Sequence, residues 1–216
     1  MKIRLILFFL LLSLAVAAQS GPEVYNNDIR NFARQDSISP PAPGMILFVG
    51  SSTFTKWKDV QSYFPGHRIL NRGFGGTQFS DLLYWADKVI YPYKPAQIII
   101  YEGDNDLAAG KSPEEILQQA KQLRKRIAEN LPGVPVIFIS PKPSIARWNL
   151  KDKYIALNAS LKHYAKKAKK TKFIDMWPHM LDASGQPLPI FEKDNLHMTA
   201  EGYKIWAPVI EPYLGK

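Results

Sequence analysis

The sequence contains no cysteine among its 216 residues. A chain without cysteine has no disulfide framework, and it lacks the thiol that lipid attachment after signal cleavage would need. Segments of low complexity are absent as well, so we expect an ordered chain. The apolar run at residues 5–14 is shorter than the roughly 20 residues that a membrane-spanning helix needs. The composition therefore favours an ordered globular protein without a disulfide framework.

The first 18 residues have the three parts of a secretory signal peptide. Lys2 and Arg4 precede the apolar run, and the small residues at 15–18 follow it. We therefore predict a signal peptide at residues 1–18 and a mature chain that is periplasmic or secreted, without a transmembrane segment.

The chain is basic, with a formal net charge of +9 that becomes +7 when Lys2 and Arg4 are removed with the signal. Six of the lysines lie within residues 162–172, at the end of a predicted helix. This pattern is typical of a solvated helix end that complements the helix dipole, and not of a nucleic-acid-binding surface. We therefore expect no nucleic-acid partner.

Five short apolar segments alternate with helical patterns along the rest of the chain. The predicted strands are residues 45–49, 68–71, 96–101, 134–140 and 173–176. Strands separated by helices form parallel sheets, because parallel neighbours need crossover connections. We predict a three-layer α/β/α sandwich with a five-stranded parallel sheet in the flavodoxin-like order 2-1-3-4-5. One domain would occupy residues 45–216, after an N-terminal helix and linker at 19–44.

Residues suited to catalysis follow four of these strands. Ser52 comes after the first strand, Gly76 after the second, Asn105 after the third and His197 after the fifth. Each has an ordinary structural explanation on its own, since such residues also build turns and helix caps. Because the carboxyl ends of parallel strands form the ligand crevice, we expect all four at one edge of the sheet.

These residue types suit acyl transfer through a serine nucleophile. A serine needs a base such as His197, and Asp194, three residues earlier, can hold the imidazole in one tautomer. The developing oxyanion needs donors. The backbone N–H groups of Ser52 and Gly76 and the amide of Asn105 are the candidates.

The four stretches together resemble the SGNH hydrolases, also called the GDSL-like lipase/acylhydrolase superfamily. The matching blocks are residues 50–52, 71–76, 103–106 and 194–197. The resemblance implies that Ser52 is the nucleophile, His197 its base and Asp194 the orienting carboxylate, with Gly76 and Asn105 as oxyanion donors. Where the family name implies aspartate before the nucleophile, this chain has a second serine at position 51, and the spacing from the preceding glycine favours Ser52 as the nucleophile.

The expected reaction is hydrolysis of a carboxylic ester through an acyl-enzyme, with no metal or cofactor. We expect a short acyl group such as acetyl on a carbohydrate, because the chain is predicted to be exported without a lipid anchor and shows no long apolar lid segment. A lysophospholipase-like or lipase-like activity on long-chain esters is the alternative.

The same stretches of sequence allow other interpretations. An α/β-hydrolase elbow would need glycine at Phe54, and no G-K-[ST] sequence follows Gly50 as a phosphate-binding loop requires. A carboxylate metal site would use the acids Glu102, Asp104, Asp106 and Asp194. A non-catalytic glycan-binding module would use exposed indole rings, for which the candidates are Trp57, Trp85, Trp148 and Trp177.

Overall fold

A computed structural model describes residues 21–215 of the protein, and the predicted signal peptide at residues 1–18 lies outside them. The predicted fold is confirmed: five parallel strands form one sheet in the order β2-β1-β3-β4-β5. The strands are β1 Ile46–Gly50, β2 Ile69–Gly73, β3 Gln97–Tyr101, β4 Val136–Ile139 and β5 Thr171–Ile174.

Helices cover both faces of the sheet. They are α1 Asn26–Ile38, α2 Ser52–Lys56, α3 Val60–Tyr63, α4 Phe79–Val89, α5 Asp104–Ala108, α6 Pro113–Asn130, α7 Lys151–Lys167 and α8 Ala200–Ile210. Within residues 21–215, none of the helices is both long enough and apolar enough to cross a bilayer.

The central strands β1, β3 and β4 are buried at every position, because they are almost entirely apolar. In β1, Leu47 and Val49 belong to the core under α4, α6 and α7, whereas Ile46 and Phe48 belong to the core under α2, α3 and α8. Neighbouring side chains of a strand point to opposite faces, so a run without polar alternation fills two cores. This burial fixes the sheet, and the sheet fixes where its strands end.

The carboxyl end of β1 requires a glycine. Gly50 has a φ of +136°, and a Cβ at this position would lie 2.1 Å from the carbonyl oxygen of Tyr101 in β3. Only glycine adopts this conformation readily and lets the two backbones approach so closely. The backbone N–H of the next residue, Ser51, donates to the same Tyr101 carbonyl at 3.1 Å, which fixes the start of the turn that leads to Ser52.

Several predicted boundaries differ from the structure. The prolines at 40, 41 and 43 predict a linker over residues 36–44, but helix α1 continues to Ile38 and ends just before them. Strand β5 begins at Thr171 instead of position 173. The apolar spacing of the sequence predicts Ile155 on the buried side of α7, but it is 50% exposed. The buried stripe of α7 runs instead through Tyr154, Leu157, Leu161 and Ala165.

Candidate active site

Ser52 is the first residue of α2 and follows directly on the turn that ends β1. Its Oγ lies 3.0 Å from Nε2 of His197, which is on the loop between β5 and α8. The Nδ1 of His197 lies 2.6 Å from Oδ2 of Asp194. The structure thus brings the three predicted catalytic residues into one hydrogen-bonded chain.

Asp194 and His197 meet because a tight turn joins them. Oδ1 of Asp194 accepts the backbone N–H groups of Leu196 and His197, each at 3.0 Å. The hydrogen bond with the His197 ring and these two backbone bonds hold the pKa of Asp194 well below its usual range. The carboxylate is therefore ionised near neutral pH, and it orients the imidazole through Nδ1.

One backbone contact closes this loop on itself, and a second ties it to the rest of the domain. The backbone N–H of Glu192 donates to the His197 carbonyl at 2.7 Å. The N–H of Ala146, in the loop after β4, donates to the carbonyl of Asn195 at 3.0 Å. The loop after β4 therefore forms one wall of the site.

Gly76 lies in the tight turn between β2 and α4. Its φ is +86°, in the left-handed region that glycine favours, and a Cβ there would lie 3.6 Å from the hydroxyl of Tyr25. The hydroxyl of Thr77 spans the turn by binding the carbonyl of Phe74 at 3.0 Å. Gly76 is exposed at the same sheet edge as Ser52.

The amide of Asn105, in the first turn of α5, is bound at both ends. Its Nδ2 donates to Oγ of Ser51 at 2.6 Å and to the carbonyl of Thr77 at 3.0 Å. Its Oδ1 accepts Nη2 of Arg147 at 2.9 Å. Because Arg147 can only donate and the Thr77 carbonyl can only accept, these partners set the orientation of the amide.

Sequence analysis missed Arg147 and the buried cluster to which it belongs. Asp104 bonds with Lys142, Arg147, Tyr101 and Tyr154. Burial opposes ionisation of Asp104, but Lys142 and Arg147, together with the Tyr154 hydroxyl, outweigh it and hold the pKa of Asp104 well below its usual range. The position of Arg147 in the sequence could have predicted its presence at the site, because it lies shortly after β4 and the carboxyl ends of parallel strands meet at one edge of the sheet.

The four carboxylates of the alternative metal site do not converge. Asp194 binds His197, and Asp104 binds the cations just described. Asp106 accepts the N–H of Phe79 and pairs with Lys111 at 2.9 Å, while Glu102 bonds to Thr77. Within residues 21–215 no group of three or more His, Cys, Asp or Glu side chains is arranged to hold a metal ion.

The four tryptophans considered for glycan stacking are engaged within the protein. Trp57 is fully buried and stacks on Tyr203. Trp85 donates its indole N–H to the carbonyl of residue 22 at 2.9 Å. Trp148 and Trp177 are half-buried and stack on each other with ring centroids 5.9 Å apart. Trp57 is therefore excluded as a glycan-binding surface.

A search of the curated proteins finds no match to this chain. Among solved structures it is similar to a protein from Streptococcus pneumonia, with 22% identity, a TM-score of 0.79, and coverage of 88% of this chain and 92% of that one. It is also similar to a GDSL-like lipase from Bacteroides thetaiotaomicron, with 22% identity, a TM-score of 0.72, and coverage of 86% and 96%.

A third similar structure is a variant of an acetyl-xylooligosaccharide esterase from Geobacillus, with 16% identity, a TM-score of 0.65, and coverage of 81% of this chain and 96% of that one. At sequence identities this low, the three similarities show a shared fold alone. The model of the GDSL-like lipase/acylhydrolase family matches residues 46–205, most of the chain, and the protein therefore belongs to this family, within the SGNH hydrolases.

Proposed function

We propose that this protein is a serine esterase that hydrolyses carboxylic esters through an acyl-enzyme on Ser52. The observation that supports it best is the chain from Ser52 Oγ to His197 Nε2 at 3.0 Å and from His197 Nδ1 to Asp194 at 2.6 Å. A nucleophile, a base and a carboxylate that orients the base are the parts that acyl transfer needs.

In the first half of the reaction, the Ser52 Oγ attacks the ester carbonyl carbon while His197 Nε2 accepts the hydroxyl proton. The carbonyl oxygen becomes an oxyanion. When the tetrahedral intermediate collapses, the bond to the alcohol oxygen breaks and His197 returns the proton to the leaving alcohol. The acyl group remains on Ser52, and Asp194 stays ionised throughout because its pKa lies well below the usual range.

In the second half, water replaces the alcohol. The water oxygen attacks the acyl carbon while His197 accepts a proton from the water. His197 then returns that proton to Ser52 Oγ as the acid leaves. The enzyme is regenerated without a cofactor.

We assign the oxyanion to the backbone N–H groups of Ser52 and Gly76 and to Nδ2 of Asn105. In the substrate-free protein the two N–H bonds of Asn105 are directed at Ser51 Oγ and at the Thr77 carbonyl. The N–H directed at Ser51 lies beside the nucleophile, so it is the one that we expect the oxyanion to share.

We propose a short acyl group, acetyl on a carbohydrate, as the natural substrate class. The Tyr25 hydroxyl stands 3.6 Å from where a side chain on Gly76 would begin, which limits the room on that side of the oxyanion. One protein of the same fold is an acetyl-xylooligosaccharide esterase by name. The predicted export without a lipid anchor suits an extracytoplasmic glycan substrate, so we also propose a periplasmic or secreted location.

The test is hydrolysis of p-nitrophenyl esters of increasing acyl length by the mature protein, in the presence and absence of a chelator. We expect the acetyl ester to be the best substrate, no effect of the chelator, and loss of turnover in Ser52→Ala and His197→Ala but not in Ser51→Ala. Rates that rise with chain length would favour the lipase-like alternative. Retention on immobilised glycan without any ester turnover would instead support the binding module.

A further inference from the structure

Glu102 is a buried carboxyl group to which the proposed reaction gives no role. It directly follows β3 and is 1% exposed. Its Oε1 lies 2.7 Å from Oγ1 of Thr77, and its Oε2 is buried without a hydrogen-bond partner among the described residues. A buried carboxylate left with an unpartnered oxygen is costly, so the group needs an explanation.

The hydrogen-bond partners of Thr77 indicate whether Glu102 is neutral or ionised. The Thr77 hydroxyl has one proton but lies within hydrogen-bonding distance of two acceptors, the Phe74 carbonyl at 3.0 Å and Glu102 Oε1 at 2.7 Å. Both contacts can be full hydrogen bonds only if Glu102 supplies a second proton, because otherwise the two acceptors divide one proton between them. A neutral Glu102 donates to Thr77, Thr77 donates to Phe74, and the unpartnered Oε2 is then a carbonyl oxygen that bears no charge.

The charges around Glu102 also favour the neutral form. Burial raises the pKa of Glu102 well above its usual range, and the nearby carboxylate of Asp106 raises it further. The hydrogen bond with Thr77 acts in the opposite direction, but burial and Asp106, with smaller contributions from Asp81 and Asp104, outweigh it. Tyr25 faces the same group from the segment before α1. The neighbouring cation, Lys111, is engaged by Asp106, and in the part of the chain that the structure describes no cation pairs with Glu102.

Thr77 links Glu102 to both oxyanion donors outside α2. Its hydroxyl closes the turn that carries Gly76, and its carbonyl accepts an N–H of Asn105 at 3.0 Å. If Glu102 ionised, the Thr77 proton would turn towards the carboxylate, and the Phe74 carbonyl would lose its bond. The turn that positions the Gly76 N–H would then be held less firmly.

We propose that Glu102 is a positioning residue, a neutral carboxylic acid that holds the Thr77 turn and with it Gly76 and Asn105, and that its ionisation sets the alkaline limit of the esterase reaction. This inference rests on the proposed esterase function. Because oxyanion donors act in the transition state, ionisation of Glu102 should lower kcat more than it changes KM.

The first experiment does not depend on activity. At about pH 7, the infrared spectrum of the full chain should contain the C=O band of a protonated carboxylic acid. The difference between the spectra of wild type and Glu102→Gln should show that this band is lost in the variant. The control is Glu114→Gln, an exposed carboxyl near the start of α6, which should leave that band in place. If Glu102→Gln leaves the band unchanged, Glu102 is ionised and the proposal is overturned.

The second experiment follows kcat against pH with p-nitrophenyl acetate, after subtraction of spontaneous hydrolysis. Wild type and Glu114→Gln should lose activity on the alkaline side, while Glu102→Gln, whose amide can still donate to Thr77, should keep its kcat there. Below that alkaline limb, Thr77→Val should lower kcat roughly tenfold relative to wild type, and Thr77→Ser should restore it. An identical alkaline limb in wild type and Glu102→Gln would overturn the proposal. A protein that shows the infrared band but cleaves no ester would instead refute the esterase function and its alkaline limit, while leaving Glu102 neutral.

Discussion

Arg147 should control catalysis through Asn105. Its Nη2 holds Oδ1 of Asn105 at 2.9 Å, and its other terminal nitrogen, Nη1, binds Asp104. Loss of an oxyanion donor costs about 10²- to 10³-fold in kcat. In Arg147→Ala the Asn105 amide keeps its bonds to Ser51 and Thr77, so we expect a part of that loss, roughly tenfold in kcat or about 1.4 kcal/mol.

Two matched variants sharpen the prediction. Arg147→Lys should recover little activity, because a lysine lacks the planar fork that reaches Asp104 and Asn105 together. In a double-mutant cycle, Arg147→Ala should cost almost nothing once Asn105→Ala is present, because both changes act on the same donor.

The assay is the dependence of p-nitrophenyl acetate hydrolysis on substrate concentration, with urea unfolding of each variant as a check on stability. We expect kcat to fall while KM stays nearly constant. If Arg147→Ala lowered kcat by the same factor in the wild type and in Asn105→Ala, the reasoning would be refuted. A rise in KM alone would mean that Arg147 contacts the substrate instead of positioning Asn105.

Three further predictions concern stability. Asp104→Asn should cost about 3–5 kcal/mol in urea unfolding, because it leaves the buried charge of Lys142 without its partner; an intact transition midpoint would contradict this. Gly50→Ala should cost about 3 kcal/mol or more, because its Cβ would lie 2.1 Å from the Tyr101 carbonyl oxygen, and a soluble variant of native stability would argue against the close approach. The folded-state pKa of Glu102 is raised, so its contribution to stability is present at acid pH and is lost as pH rises from about 4.3 towards the folded pKa, by up to about 1.4 kcal/mol per pH unit. The stability of Glu102→Gln relative to wild type should therefore increase over that range, and parallel pH profiles would count against a neutral Glu102.

The sheet order could be predicted from the sequence because five short segments, apolar at most positions, alternate with amphipathic ones. Boundaries were harder to predict where local patterns compete with packing. The apolar positions of α7 fit two helical phases, and only contact with the neighbouring α6 and β5 shows that Tyr154 is buried and Ile155 exposed.

The positions of the candidate site residues could be anticipated, but their supporting partners could not. Ser52, Gly76, Asn105 and His197 each follow a strand, and parallel strands end at one edge. The contact of Arg147 with Asn105 joins residues 42 positions apart in the sequence, and the hydrogen bond between Glu102 and Thr77 joins residues 25 positions apart. No spacing rule encodes such contacts, because they are set by how loops fold over the sheet edge.

The most direct test of the proposed function is covalent labelling with a serine-directed organophosphonate, followed by mass spectrometry of the peptides. If Ser52 is the nucleophile activated by His197, wild type and Ser51→Ala should each carry one adduct, located on Ser52, and His197→Ala should carry none. An adduct on Ser51, or equal labelling of wild type and His197→Ala, would contradict the account.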